Sequence, residues 1–143
     1  MIEIKIADLQ QLHEISVLNE WVKKEKARKE SLYKAIQKGN CFVAMKDEQV
    51  VGYVVFSRSF FENWFIKLLY VDEAYRRSGI ATLLMNEVSK QCVTPKLFVS
   101  TNDSNEAMKS LLNRLDFHQT GFLENINDDE REVFYVKHLK QHQ

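Results

Sequence analysis

Leu69-Tyr70-Val71-Asp72-Glu73-Ala74-Tyr75-Arg76-Arg77-Ser78-Gly79-Ile80-Ala81-Thr82 joins an apolar strand pattern to an amphipathic helix pattern. The first N–H groups of a helix have no carbonyl partner and carry the positive end of the helix dipole, so a helix start attracts phosphate. Gly79 lets backbone approach a ligand with no Cβ between them, and Ala81 is small enough to do nearly the same. Arg76 and Arg77 add guanidinium forks suited to phosphate oxygens. The segment is a pyrophosphate cradle in outline. No Gly-Lys-Ser/Thr follows, which excludes a P-loop, and G-x-G-x-x-G is absent, which excludes the dinucleotide fingerprint.

Working outward, the strand entering this loop is Phe65 to Val71. Before it, Cys41 to Met45 and Val50 to Ser57 read as a hairpin around Lys46-Asp47-Glu48-Gln49, and a second turn falls near Glu62-Asn63. At the start of the chain Ile2, Ile4 and Ile6 alternate with charged residues, a short strand. Asp8 can cap a helix with Leu9, Leu12, Ile15 and Leu18 on one face, and the charged run Lys23 to Glu30 reads as a solvated helix face. Past the loop, Ile80, Leu83, Leu84 and Val88 mark a helix stripe, and Leu97-Phe98-Val99 follows Pro95 as a short buried strand. A second helix from near Ser104 carries Met108, Leu111, Leu112 and Leu115. Two closing strands, Phe117 to Asn125 and Glu132 to Leu139, flank the polar turn Ile126 to Glu130. The strand–helix–strand in the middle requires a parallel pair with a right-handed crossover, while the other neighbours can pair as hairpins. The expected fold is mixed α/β (α+β): a mostly antiparallel sheet of six to seven strands, flanked by about four helices, with a central parallel β-α-β unit.

Composition narrows the function. The chain has 143 residues, is 45% hydrophobic and has one proline and four glycines, so a single domain over residues 1–143 without a flexible linker is expected. Lys plus Arg equals Asp plus Glu at 20 each, which disfavours a nucleic-acid partner. The opening Met1-Ile2-Glu3-Ile4-Lys5 lacks the basic-then-apolar layout of a secretory signal, and no apolar run reaches the ~18 residues of a membrane span. A cytoplasmic location with no membrane partner is expected. Cys41 and Cys92 sit among apolar neighbours as inert thiols, and His13, His118, His138 and His142 have no ligand spacing, so no metal is expected.

Arg76-x-x-Gly79-x-Ala81 is the Arg/Gln-x-x-Gly-x-Gly/Ala signature of the GNAT superfamily of N-acetyltransferases, and Leu69-Tyr70-Val71-x-x-x-Tyr75-Arg76-Arg77-x-Gly79-Ile80-Ala81 resembles that superfamily's strand–loop–helix at most positions. Ser100 to Met108 and Leu111 to Phe117 resemble its fifth strand and next helix, and Gly121 to Asn125 looks like the closing strand of small bacterial members. The resemblance covers essentially the whole chain. It implies acetyl-CoA as co-substrate, with the pantetheine arm on the main chain of Leu69, Tyr70 and Val71. The pyrophosphate would fall on Arg77, Ser78, Gly79, Ile80, Ala81 and Thr82, with Arg76 opening the motif. Asn105 matches a cofactor-contacting position and is equally suited to cap the next helix.

The implied reaction is direct transfer of the acetyl group to a primary amine, of a small molecule or a peptide, in a ternary complex. An ordinary lysine-like amine, of pKa about 10.4, must lose its proton before attack, and backbone N–H groups can hold the oxyanion that forms. Two family positions are filled differently here. Leu112 stands where many relatives carry an acidic tyrosine, and Ser100 where some carry a fifth-strand glutamate; Asp116 also replaces a glycine before Phe117. The catalytic residues are therefore unassigned, with Tyr135, Glu62, Glu124 and Ser100 as weak candidates. The acidic turn Asp128-Asp129-Glu130 could greet a cationic amine, although a solvated turn is its plainer reading. Two rival readings follow from Leu112 and Ser100: an acetyl-CoA-binding sensor without turnover, and an interaction module with an empty site. Exposed closing strands could also pair two copies into a homodimer.

Overall fold

A computed structural model describes residues 1–139; His142 lies outside the described residues. The element order is β1 (Glu3–Ile6), α1 (Gln11–Leu18), α2 (Glu20–Lys23), α3 (Lys26–Gln37), β2 (Cys41–Lys46), β3 (Gln49–Phe60) and β4 (Asn63–Val71). A 3₁₀ turn (Glu73–Tyr75) follows, then α4 (Ile80–Gln91), β5 (Lys96–Asn102), α5 (Glu106–Arg114), β6 (His118–Leu123) and β7 (Glu132–His138). The hydrogen-bonded strand order is β1-β2-β3-β4-β5-β7-β6. β4 and β5, the strands flanking α4, pair in parallel, with Trp64, Phe65 and Ile66 opposite Leu97, Phe98 and Val99. The mixed, mostly antiparallel sheet expected from the sequence is present with seven strands.

The chain forms two compact units: Met1–Ser57 with Leu68–Gln91, and Arg58–Lys67 with the segment from Cys92 onward. In the first, residues alternate across β2 and β3. Cys41, Val43, Tyr53 and Val55 share a buried cluster with Ile15, Val22, Leu32 and Ile36 of the first three helices. On the opposite face Ala44 pairs with Gly52, against which Ile80 and Leu84 of α4 pack. Cys41 is fully buried, and burial pushes its thiol up to about 12, so it is a core thiol that stays protonated at neutral pH. Cys92 is only half-buried, with its sulfur 3.3 Å from the Thr94 hydroxyl.

Helix ends follow local chemistry. The Asp8 carboxylate accepts from the Gln10 N–H (2.9 Å) while the Gln11 side chain accepts from the Asp8 N–H (2.8 Å), so Asp8 shapes the turn leading into α1, whose own N-cap residue is Gln10 rather than Asp8. The expected four helices become five because Asn19 interrupts the first. Its side-chain Oδ1 accepts from the Trp21 N–H, restarting the chain as α2, and its side-chain amide donates to the buried Tyr53 hydroxyl at 2.7 Å. The stripe of α4 is Ile80, Leu84, Met85 and Val88, whereas Leu83 points outward at 42% exposed.

The two-residue turn between β3 and β4 is Phe61-Glu62, not Glu62-Asn63. Both residues have positive φ (50° and 68°), the geometry of a type I′ hairpin, and the Asn63 amide donates to the carbonyls of Phe60 and Phe61. β3 therefore runs to Phe60, beyond the expected Ser57.

In the second unit β7 lies between β5 and β6. The β6–β7 loop is tied to the start of α5. Asp103 binds Lys109 (2.6 Å) and Arg131 (3.1 Å), and the Glu130 carboxylate accepts from the Ser104 N–H (2.8 Å). Hydrogen bonds from Lys109, then Arg131, hold the Asp103 carboxyl below its ordinary range. A carboxylate whose pKa is lowered on folding stabilises above its unfolded pKa of about 3.9, and that contribution is lost as pH falls through the folded value. Asp103→Asn is thus expected to flatten the acid limb of thermal stability against pH below about pH 4. An acid limb of unchanged steepness in the variant would refute the assignment.

Candidate active site

The loop from β4 to α4 is built by its own side chains. The Asp72 N–H donates to the Val51 carbonyl (2.8 Å), and its carboxylate accepts from the Ala74 N–H to shape the 3₁₀ turn. Arg76 folds back: its Nε donates to the Val71 carbonyl at 3.0 Å, and its guanidinium lies 5.6 Å from the Tyr70 ring centre. Arg76 therefore braces the end of β4, a role its place in the motif does not disclose. The Ser78 hydroxyl donates to the Tyr75 carbonyl.

Two left-handed residues follow each other closely, Arg77 (φ 67°) and Gly79 (φ 83°). Arg76 before them is extended, so the chain reverses sharply over these residues as it enters α4. A Cβ built on Gly79 meets nothing within 4 Å, so the glycine serves its conformation and leaves open space before it. The first α4 hydrogen bond runs from the Leu83 N–H to the Gly79 carbonyl (3.1 Å). Helix geometry then leaves Ile80, Ala81 and Thr82 without intrahelical acceptors for their N–H groups, and the first turn holds no acidic residue. Ile80 is buried and pins the helix start from below. Chemically, the loop offers amide donors, a dipole end and one arginine, Arg77, to an anion, Arg76 being engaged with Val71 and Tyr70.

The remaining sequence-derived candidates lie in the second unit. Asn105 caps α5, its side-chain oxygen accepting from the Met108 N–H at 3.0 Å. Tyr135 is 3% exposed in the row of β7 that also carries buried Val133, so packing accounts for its ring. Glu62 and Glu124 are exposed, the first in the hairpin turn and the second just after β6. Ser100 donates from Oγ to the Glu132 carboxylate at 2.8 Å. Leu112 is fully buried, which fixes it as a core residue. Of the acidic turn, Glu130 is occupied by Ser104, while Asp128 and Asp129 are exposed. Two residues escaped the sequence reading. Gly52 seats α4 against β3, and Glu132 meets Ser100 only through the register of β5 on β7.

A strand thus delivers a left-handed glycine loop to a bare helix start within this mixed sheet. The chain belongs to the GNAT acetyltransferase family, whose model matches residues 6–117. Acetyl-CoA is the acetyl donor of that family, and the chain is an acetyl-CoA-dependent N-acetyltransferase. No curated protein sequence matches it significantly. Among solved structures it is similar to a GNAT-family acetyltransferase from Bacillus cereus, with 26% identity, 99% of each chain covered and a TM-score of 0.91. An N-acetyltransferase from Staphylococcus aureus shares the fold at 21% identity, 98% and 99% coverage and a TM-score of 0.82. A proposed streptothricin acetyltransferase from Bacillus anthracis, in complex with acetyl coenzyme A, shares it at 20% identity, 69% and 61% coverage and a TM-score of 0.64. Among the described residues no helix is long and apolar enough to cross a membrane.

Proposed function

We propose that the β4–α4 loop holds the pyrophosphate of acetyl-CoA, and that the enzyme transfers the acetyl group directly to a primary amine of a small molecule or peptide. The observation that carries this reading is the pair of left-handed residues, Arg77 and Gly79, leading into the open first turn of α4. Arg77, Ser78, Gly79, Ile80, Ala81 and Thr82 would cradle the phosphates through backbone N–H groups, with Arg77 as the cationic fork. Arg76 would act indirectly by fixing the end of β4. The main chain of Leu69, Tyr70 and Val71 would pair with the pantetheine amides, because β4 runs five residues beyond Ile66, its last residue paired with β5, to Val71.

Leu112 leaves no acid at the position where relatives carry tyrosine. A thiol of pKa near 8.5 departs tolerably as thiolate, so the reaction does not require one. We read residues 1–143 as one cytoplasmic acetyltransferase domain. Dimerisation through β6, at the end of the strand order with Phe122 and Leu123 exposed, belongs to the same reading.

The test is thermal unfolding with and without acetyl-CoA, followed by thiol release on addition of amines. At ligand a hundredfold above Kd, stabilisation of about 2.7 kcal/mol is expected, together with amine-dependent release of coenzyme A. No stabilisation at millimolar acetyl-CoA would overturn the cofactor site, and stabilisation without release on any amine would favour the sensor.

A further inference from the structure

The sheet of the second unit has two unlike faces. On one, Leu97, Val99 and Thr101 of β5 and Val133 and Tyr135 of β7 are buried. Lys137, which pairs with Leu97 and so shares that face, reaches the ring of Phe117 just beyond α5, so this is the unit's core side. The other face alternates with it. It presents Phe98 and Ser100 from β5, Phe134 and Glu132 from β7, and Phe65 from β4 beside Phe98. Phe60 completes an aromatic set, with ring centres 4.9 Å from Phe65, 5.0 Å from Phe98 and 5.7 Å from Phe134. All four rings are only half-buried.

At the edge of this set sits one carboxylate. Glu132 Oε2 accepts from the Ser100 hydroxyl (2.8 Å) and Oε1 from the Asn127 amide (3.0 Å), and that amide also donates to Asn102 (2.9 Å). Both donors are neutral, so they orient the carboxylate without compensating its charge. Among the described residues Glu132 has no ion pair, whereas neighbouring Arg131 is engaged with Asp103. Glu132 and Phe134 lie two residues apart on one strand face, about 7 Å along the chain. An oriented carboxylate with no ion-pair partner among the described residues, beside phenylalanine faces, matches an ammonium attached to a flat apolar body.

We propose that this face binds the acetyl acceptor, and that the acceptor is a primary amine carrying an aromatic group. The ammonium lies against Glu132 and the ring packs on Phe98 and Phe134. The assignment rests on the acetyltransferase reading above and names its substrate class. It carries a consequence for turnover: the ammonium loses a proton to solvent, the amine nitrogen bonds the acetyl carbon as the thioester C–S bond breaks, and coenzyme A leaves as the thiol with the second proton. The nitrogen is then a neutral amide, the ion pair with Glu132 is lost, and the product binds less tightly than the substrate.

The experiment compares 2-phenylethylamine with n-butylamine in the wild type, Glu132→Gln, Phe134→Leu and Asp128→Asn. It measures binding to the coenzyme A complex by calorimetry and thiol release from acetyl-CoA. The acetyl-CoA thermal shift is recorded for every variant. The wild type is expected to prefer 2-phenylethylamine by about tenfold or more, the range one well-placed apolar contact gives. Glu132→Gln should raise KM for both amines at least tenfold, Phe134→Leu should remove the preference, and Asp128→Asn should change neither, all with the acetyl-CoA shift intact. Equal handling of the two amines, binding of neither, or an unchanged KM in Glu132→Gln overturns this inference while the shift keeps the transferase reading standing. A wild type with no acetyl-CoA shift overturns that reading, and the acceptor assignment with it.

Discussion

Gly79→Glu is expected to weaken acetyl-CoA binding by at least a hundredfold while leaving the protein folded. Gly79 has φ of 83°, where an L side chain costs roughly 1–2 kcal/mol, and a Cβ there meets no atom within 4 Å. The substitution therefore costs backbone strain and no clash, well below the total stability of an ordinary domain. What it adds is a carboxylate at the N-terminal end of α4, where Ile80, Ala81 and Thr82 lack intrahelical acceptors. An acid there would itself be favoured by the helix dipole and would take the seat proposed for phosphate. In thermal unfolding at an acetyl-CoA concentration a hundredfold above the wild-type Kd, stabilisation should fall from about 2.7 to about 0.4 kcal/mol. Gly79→Ala carries the same strain without the charge and should lose far less. If Gly79→Glu keeps the full shift, the pyrophosphate does not sit on this loop.

Those donors were legible because the loop's chemistry is local: a strand pattern, a glycine and a helix stripe follow one another within fourteen residues. The strand count and the parallel crossover were legible for the same reason, since periodicity and chain order alone define them. What the sequence hid is whatever depends on distant residues meeting. Asn19 breaks the first helix because Tyr53 offers its amide a buried partner 34 positions away. Leu83 fits the stripe of α4 on a helical wheel as well as Met85 does, and only packing decides that Met85 is buried. Ser100 looked like a vacancy where relatives carry a glutamate. The β5–β7 register sets Asn102 opposite Glu132, and the carboxylate then reaches Ser100 from the neighbouring strand, which no spacing within either strand could reveal. Phe61 at positive φ is likewise invisible to turn rules, which favour glycine and asparagine there.

Gly52 is the clearest case of a residue whose role only the packing discloses, and Gly52→Val is expected to destabilise the protein by about 2–3 kcal/mol, the upper range for overpacking a filled core. A Cβ at this position would stand 3.0 Å from the Tyr70 carbonyl oxygen, 3.3 Å from Ile80 Cγ2 and 3.4 Å from Leu84 Cδ1. The side chains can yield a few tenths of an ångström, but the Tyr70 oxygen belongs to the backbone of β4 and cannot. Gly52 and Gly79 are thus both needed but opposite in kind: one for space, the other for conformation. For a chain of 143 residues the loss corresponds to a fall in Tm of roughly 6–12 °C. Because Tyr70 and Ile80 stand at either end of the proposed cofactor loop, displacing them should also raise the KM for acetyl-CoA. Adding Leu84→Ala tests the steric origin. Relief of crowding predicts a double variant less destabilised than the sum of its parts, by 0.5 kcal/mol or more, whereas strict additivity would mean that Gly52 acts through some other route.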